Sequence, residues 1–64
     1  MNVMTIEECR SRKRTFKRLI RQIDDGANYG IERRDMNAIR LALVRSVVTE
    51  ELNIKALQKE AKHE

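Results

Sequence analysis

Cysteine and histidine, which supply many nucleophilic and zinc-binding sites, occur once each in this 64-residue sequence, as Cys9 and His63. A zinc site of the usual spacing needs more Cys and His ligands than these two. A thiol nucleophile needs a base within hydrogen-bond reach, and His63 lies in a charged tail that we expect to fray. The sequence therefore predicts no catalytic residues and no metal site, and we expect Cys9 to be a small apolar contact between helices.

Acidic residues crowd the segment that contains the two glycines, which makes it a candidate cation site. Counting from Asp25 puts Gly30 at the sixth position of a calcium-binding loop. Ala27, Tyr29 and Met36 then occupy ligand positions, and none of them has a carboxylate or amide oxygen in its side chain. The pattern fails, and we predict no cofactor for this chain.

The length and composition describe one small domain, residues 1–64, with a thin core. Hydrophobic residues make up 41% of the chain, charged residues make up 38%, and the formal net charge is +4. Residues 1–4 and 62–64 are expected to be frayed ends. The sequence has neither an apolar run of the roughly twenty residues that cross a bilayer nor the pattern of a signal peptide, so we expect a cytoplasmic protein.

The fold class predicted from the sequence is all-α, because proline is absent and glycine occurs only twice. A first helix over about residues 6–25 begins with Thr5 followed three residues later by Glu8, which is the capping-box pattern. Gly26 offers a left-handed stop. Residues 26–31 then form the turn of an antiparallel helical hairpin.

The second helix is predicted over about residues 32–61, and its apolar side chains form two stripes instead of one. One stripe faces the first helix. The other has no partner inside a two-helix chain, so we expect it to meet a second copy and form a homodimeric four-helix bundle. The alternative is a bend near residues 48–50, where Thr49 would cap a third helix that covers this stripe. The predicted dimer interface is Leu41, Val44, Val48 and Leu52.

Two sets of ion pairs are expected across the hairpin. Arg12 or Lys13 lies near Glu50, and a partly buried pair between them would fix the register of the two helices. The alternative is that both basic side chains extend over the apolar surface and keep their charges in water. Near the turn, we expect the acidic residues 24 and 25 to pair with Arg33 or Arg34.

The most unusual feature is the segregation of positive charge. Residues 10–21 contain seven Lys and Arg and no Asp or Glu, and subtracting these seven from +4 leaves −3 for the other fifty-two residues. Five of the seven lie within an arc of roughly 100° opposite the apolar stripe of the first helix. We name these five the basic ridge: Arg10, Arg14, Lys17, Arg18 and Arg21. Tyr29, at the tip of the turn, is either a lid over the hairpin end or an exposed contact residue.

A basic face without interleaved acids favours a partner that offers negative charge. Groove-reading residues and stacking aromatics are scarce, so base-specific nucleic-acid recognition is poorly supported, and no Trp marks a membrane-binding helix. We expect a noncatalytic interaction or regulatory module that binds an acidic macromolecule. The alternatives are a nonspecific nucleic-acid-binding dimer and a structural subunit of a larger helical assembly. In overall character the chain resembles small accessory proteins of bacteriophages and bacterial mobile elements, which implies a host protein as partner in a bacterial or phage-infected cell.

Overall fold

The protein is a hairpin of two packed helices in the computed structural model, which describes residues 4–62 and the side chains of residues 4–60. Helix α1 spans Ile6–Asp24 and helix α2 spans Arg33–Lys62. The hairpin measures 49 × 23 × 15 Å, so it is one helix layer thick. The predicted all-α hairpin is therefore confirmed. Most of the residues expected to fray lie outside the described residues. His63, the only histidine that could act as a base for Cys9, lies outside them as well.

Both ends of α1 follow from local sequence signals. The side-chain oxygen of Thr5 accepts a hydrogen bond of 3.1 Å from the backbone N–H of Glu8, as the capping pattern predicts. At the other end, Gly26 has a φ of 107° and donates to the Ile23 carbonyl, while Ala27 donates to the Gln22 carbonyl. These two bonds form a Schellman motif, which requires the left-handed residue that Gly26 supplies.

The turn reverses the chain through two more residues in the left-handed region. Tyr29 has a φ of 52° and Gly30 a φ of 74°. The Asn28 side-chain oxygen accepts from the Gly30 N–H at 3.0 Å, and the Asn28 carbonyl accepts from the Ile31 N–H at 2.8 Å. An asparagine that closes its own turn in this way explains how the chain turns without proline.

Helix α2 is continuous, so the alternative of a bend near residues 48–50 is wrong. The Thr49 hydroxyl donates to the Arg45 carbonyl at 3.0 Å, and the Ser46 hydroxyl donates to the Ala42 carbonyl at 2.9 Å. Thr49 therefore bonds to the preceding turn of its own helix and does not cap a new one. No third helix covers the second stripe within the described part of the chain.

The core between the helices is small. Among the apolar side chains of residues 4–60 only Cys9, Met36 and Val47 are buried, and Glu50 is a buried charged residue beside them. Within residues 4–62, neither helix is both long and apolar enough to cross a membrane. Because so little apolar surface is buried, each polar contact between α1 and α2 helps to fix the register of the two helices.

Candidate interaction surface

The basic ridge lies on the outer side of α1, where helix periodicity places it. All five of its side chains are exposed, and none forms an ion pair with another residue in the described part of the chain. Cys9 belongs to the apolar stripe of α1 and faces α2. The five cations lie on the opposite arc of α1, away from α2. Five unneutralised charges on three helical turns make this surface electrostatically distinct.

A charged pair joins the two helices next to the core. Arg12 Nε lies 2.9 Å from Glu50 Oε2, and Arg12 Nη2 lies 3.3 Å from Glu50 Oε1. The Glu50 side chain is 10% exposed, whereas that of Arg12 is 40% exposed and reaches solvent. The hydrogen bonds from Arg12 hold the pKa of Glu50 below its ordinary value, against the opposing effect of burial. Of the two basic residues predicted to pair with Glu50, Arg12 forms the pair.

Cys9 completes this interhelical cluster. Its sulfur lies 3.5 Å from Arg12 Nη2, and its side chain is fully buried. Burial, together with the neighbouring Glu50 carboxylate, raises the pKa of the Cys9 thiol. A buried thiol that resists ionisation is a packing residue, in agreement with the expectation from the sequence.

Lys13 uses a different carboxylate, on the other edge of the hairpin. Its Nζ lies 3.5 Å from Glu51 Oε1, and both side chains are partly exposed. Near the turn, Arg40 Nε lies 2.7 Å from Asp24 Oδ1. The Arg40 hydrogen bond lowers the pKa of the Asp24 carboxyl.

The expected pairing of the acidic residues at the turn with Arg33 or Arg34 is wrong. Arg34 contacts Glu32 and Asp35, its sequence neighbours, and Asp24 pairs with Arg40. Asp24 reaches Arg40 in the second turn of α2, whereas the Arg34 side chain is 86% exposed and its ion pairs are local.

The second apolar stripe of α2 is open to solvent in the single chain. Leu41 is 50% exposed, Val48 is 51% exposed and Leu52 is 61% exposed, while Val44 is partly exposed. Buried Val47 and Glu50 face α1 instead. Four neighbouring aliphatic side chains left in water are a recognised mark of an interaction surface.

One margin of the basic ridge and one margin of the stripe lie on the same side of the hairpin, which sequence reasoning missed. The contact between Lys13 and Glu51 marks this side. On α1, Arg10 and Lys17 are three and four residues from Lys13. They lie next to it, farther from the buried side of the helix.

On α2, Val48 and Lys55 are three and four residues from Glu51. They lie next to it, farther from α1. Lys13, Glu51 and Lys55 also line one shallow groove, which confirms that these positions are adjacent. Both periodicities can be read from the sequence, but only a contact between the helices shows which margin of each surface lies on this side of the hairpin.

Tyr29 stands at the turn end of this molecule. It is 61% exposed, and its hydroxyl lies 2.8 Å from Gln22 Oε1. Gln22 is four residues after Arg18, so the ring lies close to the last turn of the basic ridge. The residue is thus an exposed side chain anchored to α1, compatible with a secondary contact to a partner.

No cluster of three or more metal-ligating side chains occurs within residues 4–62. Comparison of the chain with protein-family models, with curated proteins and with solved structures finds no match in any of the three.

Proposed function

We propose that this protein is a noncatalytic interaction or regulatory module that binds an acidic macromolecule through the basic ridge. The observation that carries the proposal is that all five cations are exposed and none forms an ion pair among the described residues. Neighbouring like charges at three- and four-residue spacing weaken a helix by a few tenths of a kcal/mol per pair. A negatively charged partner removes this repulsion, so the surface is better suited to a complex than to water.

An acidic protein is favoured over nucleic acid. The described face offers no aromatic ring for base stacking except Tyr29, which is engaged with Gln22. Nonspecific contact with phosphates is the second candidate function, supported only by the charge of the ridge. The resemblance to bacteriophage and mobile-element accessory proteins supports a host protein in the bacterial cytoplasm as the partner.

Self-association into a four-helix bundle belongs to the same proposal. The exposure of Leu41, Val48 and Leu52 supports it, since pairing two copies along the stripe removes these side chains from water. Burying this stripe against a different protein would instead make the chain a structural subunit, and sedimentation of the purified protein distinguishes the two.

A salt series tests the choice of partner. Binding is measured by fluorescence anisotropy with an acidic helical peptide and with a 20-base-pair DNA duplex. We expect the peptide to bind more tightly at about 150 mM salt, and DNA affinity to fall steeply with salt because each phosphate contact releases counterions. Tighter binding of DNA throughout the series would establish the second candidate function. Binding of neither ligand would show that the ridge is only a solvated face.

A further inference from the structure

We propose that the second apolar stripe of α2 is a separate binding surface, which takes an acidic amphipathic helix of another protein. This inference goes beyond the proposed function, because the occupant contacts α2 alone and leaves the basic ridge free. The occupant would place its aliphatic side chains against the stripe and its carboxylates against the cations that accompany it. The hairpin and this helix would then form a row of three packed helices, with α2 in the middle.

The second stripe points away from α1, so a partner can reach it without disturbing the hairpin. Buried Met36 and Val47 mark the side of α2 that faces α1. At about 100° per residue, Leu41 and Leu52 lie about 120° to 160° round the helix from these two. They are 50% and 61% exposed, and Val48 beside them is 51% exposed. The stripe is therefore open to a partner at the edge of the hairpin that lies farthest from α1.

Positive charge accompanies the stripe on the same arc of α2. This arc of about 100° also carries three exposed cations that form no ion pair among the described residues: Arg45, Lys55 and Lys59. The described carboxylates of α2 lie outside the arc, and the nearest of them, Glu51, is already paired with Lys13. A well-matched occupant supplies both apolar side chains and negative charge, and an acidic amphipathic helix supplies both.

The dimensions of this surface also favour a helix. From Leu41 to Lys59 it is about 27 Å long at about 1.5 Å per residue, and it is one helix face wide. A partner helix of about eighteen residues covers this length, with apolar positions at three- and four-residue spacing. An anionic membrane is the poorer match, because residues 33–62 include no Phe, Tyr or Trp to anchor the helix at the interface.

A second copy of this chain is a weaker occupant of the stripe. Two copies paired along α2, whether parallel or antiparallel, would bring the same cationic arc together, with no carboxylate among the described residues of either arc. Charge therefore opposes self-association, and added salt should strengthen it by screening this repulsion. Binding of an acidic helix has the opposite salt dependence. The two occupants compete for the stripe, and the acidic helix displaces the second copy.

Two designed 21-residue peptides of equal charge test this inference. The leucine probe carries Leu at the a and d positions of three heptads and Glu or Ala elsewhere, and in the glutamine probe each Leu is replaced by Gln. The glutamine probe has charge without apolar surface, so it is also the acidic helical peptide that tests the ridge. Affinity is measured by fluorescence anisotropy at about 150 mM salt, and circular dichroism verifies that the two probes have equal helix content.

Variants of the full chain locate the binding site of each probe. The stripe variant carries Leu41→Gln and Val48→Gln. Its matched control carries Ala42→Gln and Thr49→Gln, at two exposed positions outside the stripe. Circular dichroism verifies that every variant remains helical.

We expect the wild-type chain and the control to bind the leucine probe about tenfold more tightly than the glutamine probe, and the stripe variant to bind the two equally. A ridge variant, Arg14→Gln with Arg18→Gln, should lose affinity for the glutamine probe and keep its affinity for the leucine probe within about twofold. In sedimentation, the leucine probe should dissociate any self-dimer.

Equal binding of the two probes by the wild-type chain would overturn the inference and leave the ridge proposal standing. A self-dimer that persists at a saturating concentration of the leucine probe would assign the stripe to the second copy. Binding of phosphatidylglycerol vesicles that the stripe variant loses would assign it to a membrane surface, and either result overturns the inference. Failure of the wild-type chain to bind the glutamine probe would instead end the proposed function, and tight binding of the leucine probe that the stripe variant loses would still support the inference.

Discussion

Arg12 on α1 donates through Nε and Nη2 to both carboxylate oxygens of Glu50 on α2, at 2.9 and 3.3 Å. The two residues are 38 positions apart, and the contact lies beside the fully buried Cys9. A two-point contact at this level restrains both rotation and sliding of one helix against the other. It thereby sets which residues of α1 and α2 lie beside one another on each side of the hairpin.

The pair predicts acid sensitivity. Because Arg12 lowers the pKa of Glu50 in the folded state, the stabilisation is complete above the ordinary value of 4.5 and is lost as the pH falls through the lower folded pKa. We expect the melting temperature of the wild-type protein to decline below about pH 4.5. The Asp24 pKa is lowered as well, so it contributes in the same direction.

The Glu50→Gln variant isolates this contribution. At pH 7 we expect it to melt about 5 °C below the wild type, because Arg12 loses its charged acceptor, and this difference should narrow as the pH falls below about 4.5. Glu60→Gln, which changes an exposed carboxylate on the same helix, serves as the control and should follow the wild-type profile. A constant difference between Glu50→Gln and wild type from pH 7 to pH 3 would contradict the assignment.

Cys9 provides a test of the hairpin's integrity. Since the thiol is buried and its pKa is raised, we expect it to react with a disulfide reagent at pH 8 only when the helices separate. Reaction should be at least about a hundredfold slower than in urea-unfolded protein. A folded protein that reacts at the unfolded rate would show that Cys9 is accessible.

The elements of the fold were predictable because each depends on local signals. Thr5 and Glu8 gave the start of α1, and Gly26 gave its end. The pair of Arg12 with Glu50 was predictable because each is a charged residue on the apolar side of its helix. Antiparallel packing brings the two to about the same level of the hairpin. The partner of Asp24 was not predictable, because the stagger of the helices depends on how the whole turn is shaped.

The candidate surface was predictable only in its parts. Periodicity placed the ridge on one arc of α1 and the stripe on one arc of α2, but periodicity within a helix carries no information about the orientation of its neighbour. The contact of Lys13 with Glu51 supplies that orientation.

The Thr5 cap predicts a measurable share of stability. Thr5→Ala removes the acceptor of the Glu8 N–H, and we expect the free energy of unfolding in urea to fall by about 1 kcal/mol. Thr49→Ala is the matched control, because Thr49 bonds within its own helix and alanine is the better helix former. It should leave the stability equal or slightly higher. Equal losses of stability in the two variants would show that the Thr5 cap stabilises the fold no more than a threonine within a helix does.

Self-association through the stripe predicts a change of mass. If two copies pack along α2, Leu41→Gln with Leu52→Gln converts a dimer into a monomer without loss of helix content, because both side chains are already half exposed in the single chain. Sedimentation equilibrium measures this, with Ala42→Gln as the control on the opposite side. A wild-type chain that is monomeric at high micromolar concentration would refute the four-helix bundle.

The central claim is that the basic ridge is a binding surface, and a matched pair of charge variants tests it most directly. Arg14→Gln with Arg18→Gln removes two charges from the ridge, whereas Arg33→Gln with Arg34→Gln removes two from the start of α2. Affinity for the acidic helical peptide is measured for both at about 150 mM salt. We predict at least a tenfold loss for the ridge variant and about a twofold loss for the control, since contact and not net charge governs the complex. Equal losses in the two variants would contradict the claim.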